Sequence, residues 1–330
     1  MHEYLLESLV CPVCHGALEW KLTERTGARI ESGRARCRAC AVEYPVVDGI
    51  GVFVPEPRDI AVAEQESRQM RYLRDHPEIE ETLLRSPLDA LNPADQDYRA
   101  RALEARGEFA VAKVAADRAQ QGLYLAQSQA DIESQFETVI AHLAGSDGPI
   151  VDLASGRCYL VEALLRALQR PIVATDISLP VLRRDRRYLE HWGLYDRVSL
   201  LALDARQTPF CDGAVESMTT FVGLASVREP GAILEELRRA VSGTLLSISV
   251  FCSPEDEVHA PAIRKAGLEA MLFRRAALAA FVAAGWQVEV VNARTAPIRP
   301  TPTSALMPEF RVDGFPLAET TQESCTLIAR

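Results

Sequence analysis

The chain has eight cysteines, and four of them are spaced for chemistry. Cys11-Pro-Val-Cys14 and Cys37-Arg-Ala-Cys40 form two CxxC pairs with twenty-two residues between them. Each pair turns tightly enough to aim both thiolates at one ion, and two such knuckles close a tetrahedron of sulfurs around Zn2+. A redox or disulfide role is the competing reading, but one CxxC would serve it, and two at this separation fit a metal better. Four sulfurs leave no open coordination position. Zn2+ held by Cys11, Cys14, Cys37 and Cys40 is therefore expected to be structural, contributing directly to the folding of a segment too small for a core of its own. His15 follows Cys14 and, with four thiolates at hand, reads as a surface residue.

A second set of reactive types lies further on. Asp152, Asp176 and Asp204 each close an apolar run, and the first run leads through Leu-Ala154-Ser155-Gly156-Arg-Cys158 into a helical stretch. In a doubly wound sheet, ligands bind beyond the carboxyl ends of the strands, where such strand–helix turns lie. A dinucleotide fingerprint needs small residues at positions occupied here by Ala154, Gly156 and Tyr159, and the bulk of Tyr159 counts against NAD or FAD. Taken singly, each aspartate serves equally well as a helix N-cap or turn residue, as Asp176-Ile177-Ser178 illustrates. Three at successive strand ends weigh towards function.

The elements that must position these groups fall into three regions, expected at 1–55, 56–145 and 146–330. The first has short strand-like runs punctuated by Gly and ends in a Pro-rich exit. The second is rich in Ala, Glu, Arg and Gln, with apolar residues at helical spacing. The third alternates strand and helix from PIVDLA to SCTLIAR, the pattern of an α/β protein with a doubly wound, mostly parallel sheet.

Two resemblances follow from these residues. The stretch containing both cysteine pairs and Tyr44-Pro45…Asp48-Gly49-Ile50 resembles the small zinc-ribbon proteins that act as activating partners of transfer RNA, ribosomal RNA and release-factor methyltransferases. It covers about the first 55 residues. From 149 to 330 the chain resembles the class I S-adenosylmethionine-dependent methyltransferases, which implies a seven-stranded sheet with an antiparallel last strand. On that resemblance Asp152 lies near the amino group of the cofactor's methionine moiety, and Ala154, Ser155 and Gly156 form the loop beneath it. Asp176 with Ile177 meets the ribose, where a carboxylate suits a vicinal diol. Asp204 and Ala205 contact the adenine edge, and Phe221 and Gly223 line the methyl-transfer side. One position departs from the family: Cys158 stands where its last glycine belongs, and a side chain there could crowd the cofactor. This keeps open an alternative, a non-catalytic scaffold or regulator with an impaired cofactor loop.

A formal charge of −10 and a pI near 5.3 speak against broad electrostatic capture of nucleic acid. The basic stretch from Lys21 to Arg38 reads as a solvated face. An aromatic content of 6% gives little sign of stacking platforms for RNA, so a small-molecule acceptor is favoured over RNA. No run of about 18 apolar residues appears and the N-terminus is not a secretory signal, so a cytoplasmic location without membrane partners is expected. Two insertions, 253–271 and 297–319, are expected to form a substrate lid with part of the helical region. No catalytic residue can be assigned. His259, between acidic neighbours, is the candidate general base, with an exposed loop histidine as the plainer reading.

Overall fold

The structure is a computed structural model that describes residues 1–54 and 61–330. The first segment is an antiparallel meander: β1 (Leu18–Thr26), β2 (Arg29–Cys37), β3 (Glu43–Val47) and β4 (Ile50–Val52). Val47 pairs with Ile50, so β3 and β4 are joined by Asp48-Gly49 alone, both at positive φ. That is the Asp-Gly hairpin whose twist matches the flanking strands. The expected boundary at 55/56 lies outside the described residues.

Five helices come next: α1 (Ala61–Asp75), α2 (Pro77–Arg85), α3 (Pro93–Arg106), α4 (Phe109–Leu123) and α5 (Ala126–Leu143). Local chemistry sets the ends of α3. Asn92 caps it by accepting from Asp95 N, Pro93 opens it, and Gly107 at φ 82° stops it.

The remainder alternates β5 (Ile150–Asp152), α6 (Tyr159–Ala167), β6 (Ile172–Asp176), α7 (Leu179–His191), β7 (Val198–Ala202), β8 (Val215–Phe221), α8 (Pro230–Ala240) and β9 (Val241–Phe251). It closes with α9 (His259–Ala266), α10 (Glu269–Leu272), α11 (Arg274–Ala283), β10 (Val288–Ile298) and β11 (Thr320–Ala329). In this half the strand order is β7-β6-β5-β8-β9-β11-β10, with β11 running opposite to the other six. This is the class I methyltransferase arrangement. The chain order reverses at β5, which places a crevice at its carboxyl end.

The expected count of seven strands is exceeded. β4 pairs in parallel with β7, Ile50 opposite Leu200 and Val52 opposite Ala202, so the meander extends one sheet to eleven strands. The two strands approach closely at Gly51, where a Cβ would lie 2.8 Å from Leu201 Cδ2 and 2.9 Å from Met1 Sδ and would make both side-chain ends shift. A single apolar cluster joins Met1, Leu5, Ile30, Tyr44 and Phe53 to Leu201, Leu203 and Phe210. Within the basic stretch Lys21, Arg25, Arg34, Arg36 and Arg38 are exposed as expected, and Arg29 is the exception. It is 8% exposed, donates to Val198 O at 2.9 Å and Tyr195 O at 2.7 Å, and stacks 3.8 Å over the Tyr195 ring.

β10 also runs further than its apolar run suggested, reaching Ile298. It is the edge strand, with a bulge between Val291 and Arg294 and Asn292 at φ 51°, so half of it carries no hydrophobic alternation.

The helical region and the connection after β10 pack together. Leu73, Leu83, Ala94 and Tyr98 share a buried cluster with Met307, and Leu306 and Phe310 pack against it. Asp95 fastens the two, accepting from the Ser304 hydroxyl and from Ala305 N at 3.2 Å.

Candidate functional site

The four cysteines of the meander converge: their sulfurs all lie within 4.8 Å of one another. Cys11 and Cys40 sulfurs are 3.6 Å apart, and Cys14 and Cys37 3.5 Å. A tetrahedron of metal–sulfur bonds of about 2.3 Å has edges of about 3.8 Å, so the set is of the right size for zinc. The two knuckles repeat one geometry. His15 N donates to Cys11 O at 2.8 Å and Ala41 N to Cys37 O at 3.1 Å, with His15 at φ 54° and Ala41 at φ 62°. A Cβ at Gly16 would lie 3.1 Å from Cys37 Sγ and 3.3 Å from Cys14 Sγ, so glycine there leaves the sulfurs room. Tyr44 Oη lies 3.1 Å from Cys11 Sγ, a phenol placed to donate to a thiolate.

At the β5 switch point, Asp152 is 1% exposed and accepts from Thr219 Oγ1 at 2.6 Å. Burial pushes its carboxyl up to about 6, opposed by the Thr219 bond. The loop that follows is left-handed at every second residue, with Ala154 at φ 54°, Gly156 at 52° and Cys158 at 60°. Ser155 ties it to β6, donating its amide to Thr175 O at 2.8 Å and accepting from Thr175 N at 3.1 Å. Asp176, at the end of β6, takes Gly156 N on one oxygen at 3.2 Å and Ser178 N on the other at 2.8 Å. Asp152, Ala154, Ser155, Gly156 and Asp176 thus come together at the carboxyl ends of β5 and β6, with Ile177 next in the chain after Asp176. Gly223 lets the opposite wall approach, since a Cβ there would sit 2.8 Å from Ala154 Cβ.

Two expected site residues are differently engaged. Asp204, just past β7, is clasped by Arg206, whose Nε and Nη2 reach its oxygens at 2.9 and 2.6 Å. Phe221 packs edge-on against Phe136 of α5, ring centres 5.1 Å apart. The residue after it was not anticipated: Val222 sits at φ 57°, a strained conformation for a β-branched side chain, beside the crevice.

Cys158 does not occupy the crevice. It is 1% exposed and belongs to the buried cluster of Leu160, Leu164 and Leu182. Burial, then the neighbouring Asp185 carboxylate, pushes its thiol well above the ordinary range. Cys158→Gly is accordingly expected to leave S-adenosylhomocysteine affinity within about twofold of wild type by calorimetry, because relief at φ 60° and loss of a buried sulfur act behind the loop. A tenfold gain in affinity would show that the side chain crowds the ligand after all.

His259 is not the exposed loop histidine of the plainer reading. It is 1% exposed, its Nδ1 is 2.9 Å from Asp256 Oδ2, and its Nε2 accepts from Leu317 N at 2.9 Å. Both ring nitrogens are used to clamp the connection after β10. Helix α3 adds a contact that no local pattern announces. Glu104 Oε1 is 2.7 Å from Arg157 of the loop, and Arg184 on α7 donates to Gly156 O at 2.8 Å.

Comparison with known proteins matches the two halves separately. Residues 2–49 match the family described as Trm112p-like protein. A UPF0434 protein of Methylobacillus flagellatus is 36% identical over 66 residues, which cover 97% of that protein and 20% of this chain. The N-terminal segment belongs to the Trm112p-like family. Beyond the Trm112p-like ribbon, residues 150–243 match the family described as methyltransferase domain. The demethylmenaquinone methyltransferase of Clavibacter sepedonicus is 35% identical over 116 residues, 35% of this chain, which spans 45% of that relative's length. Among solved structures, the YcgJ protein of Bacillus subtilis is 14% identical with a TM-score of 0.48, covering 60% of this chain and 97% of its own. Geranyl diphosphate C-methyltransferase of Streptomyces coelicolor A3(2), in complex with S-adenosyl-L-homocysteine, is 18% identical with a TM-score of 0.45, covering 60% and 76%. No helix among the described residues is long and apolar enough to cross a membrane.

Proposed function

We propose that the chain is an S-adenosylmethionine-dependent methyltransferase whose ribbon holds one structural Zn2+ and whose acceptor is a small molecule. The observation that supports this most is the bond from Gly156 N to Asp176. It sets the loop at the sheet's switch point against a carboxylate placed for a ribose diol. When bound, the cofactor supplies an activated methyl group; the protein contributes position and exclusion of water. Asp152 would face the ammonium of the methionine moiety, the loop amides its chain, and Asp204 the adenine edge once Arg206 releases it. The scaffold alternative rested on Cys158, and with that side chain buried no observation favours it.

Calorimetry of S-adenosylhomocysteine binding to metal-replete protein tests the reading, with NAD as control. Binding is expected for the first and not the second. An ammonium is held by the charged form of Asp152, and a carboxyl at about 6 is roughly nine-tenths protonated at pH 5. Affinity should therefore fall about tenfold between pH 7.5 and pH 5, and Asp152→Asn should flatten that slope. Absence of binding in folded, zinc-loaded protein would defeat the assignment; a flat wild-type profile would remove Asp152 from it.

A further inference from the structure

The sides of α3 and of the connection after β10 that face one another hold a polar cluster that the cofactor assignment leaves unused. Asp97, Arg101 and Glu104 are four and three residues apart on one face of α3. Glu104 anchors that face over the cofactor loop through Arg157. Arg101 and Asp97 then lie about 4.5 and 10.5 Å further along the helix axis, at about 1.5 Å per residue.

Arg101 Nε bonds Asp97 Oδ2 at 2.7 Å, and both side chains are largely buried. Across from them Tyr124, at the end of α4, donates its hydroxyl to Asp313 Oδ2 at 2.8 Å. Burial raises the Asp313 carboxyl, with Asp97 adding to the rise. Tyr159, the first residue of α6 after the cofactor loop, is within electrostatic reach of Tyr124. Tyr98 completes the set. Its ring is fully buried and its hydroxyl, close to Arg101, Asp97, Asp313 and Asp95, has no hydrogen-bond partner among the described residues. A buried phenol left unpaired is rare, because folding strips it of water and returns nothing. It marks a place where a ligand's polar group belongs.

We infer that Asp97, Tyr98, Tyr124 and Asp313 line the acceptor site, and that the acceptor is an amine or a neutral hydroxyl compound rather than a phosphorylated one. The inference rests on the cofactor assignment above. Among the described residues the fixed charges around the Tyr98 hydroxyl are the carboxylates of Asp95, Asp97 and Asp313 and the Arg101 guanidinium, so an ammonium or an O–H donor is welcome. A phosphate would be buried against a net negative balance. The orphan phenol and the Asp313–Tyr124 pair offer acceptors to such donors.

Sinefungin tests this without knowledge of the acceptor, since it carries an ammonium where the cofactor carries its methyl group. By calorimetry, wild-type protein is expected to prefer sinefungin over S-adenosylhomocysteine by about tenfold. Asp313→Asn should reduce that preference at least fivefold while S-adenosylhomocysteine affinity stays within twofold. Tyr98→Phe removes a hydroxyl that bonds nothing, so it should melt like wild type and lower the preference in the same direction, even if Asp313→Asn folds poorly. With both ligands bound, an unchanged preference in these variants, or equal loss of both ligands, would overturn the site. So would release of S-adenosylhomocysteine from cofactor with phosphoethanolamine or bulk transfer RNA but not with ethanolamine or spermidine. Binding of neither ligand to wild type would instead fail the cofactor assignment, and so is told apart.

Discussion

Replacing Cys37 by Ser, or stripping the metal with a chelator, should lower the melting temperature of the whole chain by on the order of 10 °C, in one transition. The reason lies in what the ribbon touches. Structural zinc supplies folding free energy outright, about 10–16 kcal/mol in isolated finger peptides at neutral pH. Part of that loss is offset here because the ribbon is also held by a shared core. Ile50 to Val52 pair with Leu200 to Ala202, and Met1, Ile30 and Phe53 pack with Leu201 and Phe210. Loosening the knuckles would bare the edge of β7 and that cluster together, so a net loss of roughly 3–5 kcal/mol is expected, a shift of about 2–4 °C per kcal/mol in larger domains. Cys211→Ser, at a half-buried thiol that touches Glu7 O of the ribbon but lies outside the four-sulfur set, is the control and should melt close to wild type. Calorimetric scans with zinc quantified in each sample decide the matter. A main transition that stays in place while a small separate one vanishes would mean the ribbon is an independent unit.

That coupling is also where reading the sequence ran short. The cysteine pairs were legible because a metal site written in CxxC spacing is local: the knuckle forms within five residues. The strand ends at Asp152 and Asp176 were legible for a related reason, since an apolar run fixes where a buried strand stops. The merger of β4 with β7 was not, because a three-residue strand has no periodicity and its partner lies some 150 residues away. Arg29 looked like one more surface cation for the same reason; its carbonyl partners belong to Tyr195 and Val198. His259 had acidic neighbours in the chain, yet its second nitrogen serves the backbone of Leu317, which no spacing reveals. Glu104 and Arg157 meet only because α3 passes beside the loop after β5. Cys158 misled in the other direction. A residue type out of place in a motif says nothing of which way its side chain turns, and here it turns into the core.

Asp176→Ala should weaken S-adenosylhomocysteine binding by about a hundredfold at pH 7.5 and lower the melting temperature by several degrees. Two losses combine. The carboxylate would take the ribose hydroxyls as charge-assisted acceptor bonds, each worth about 1.5–3 kcal/mol when one partner is ionised. It also holds Gly156 N and Ser178 N, so its removal frees the loop that carries three left-handed residues. The second loss separates the variants. Asp176→Asn keeps one carbonyl oxygen for a backbone amide but cannot accept on both sides, and should fall between wild type and Ala. Ser178→Ala removes the cap that Ser178 Oγ gives Val181 N, at 3.4 Å in α7. It should cost about 1 kcal/mol of stability and leave affinity unchanged. If Ala and Asn bind equally well, the carboxylate only shapes the loop and the ribose is held elsewhere. If Ser178→Ala weakens binding as much as Asp176→Ala, the start of α7 rather than the carboxylate carries the effect.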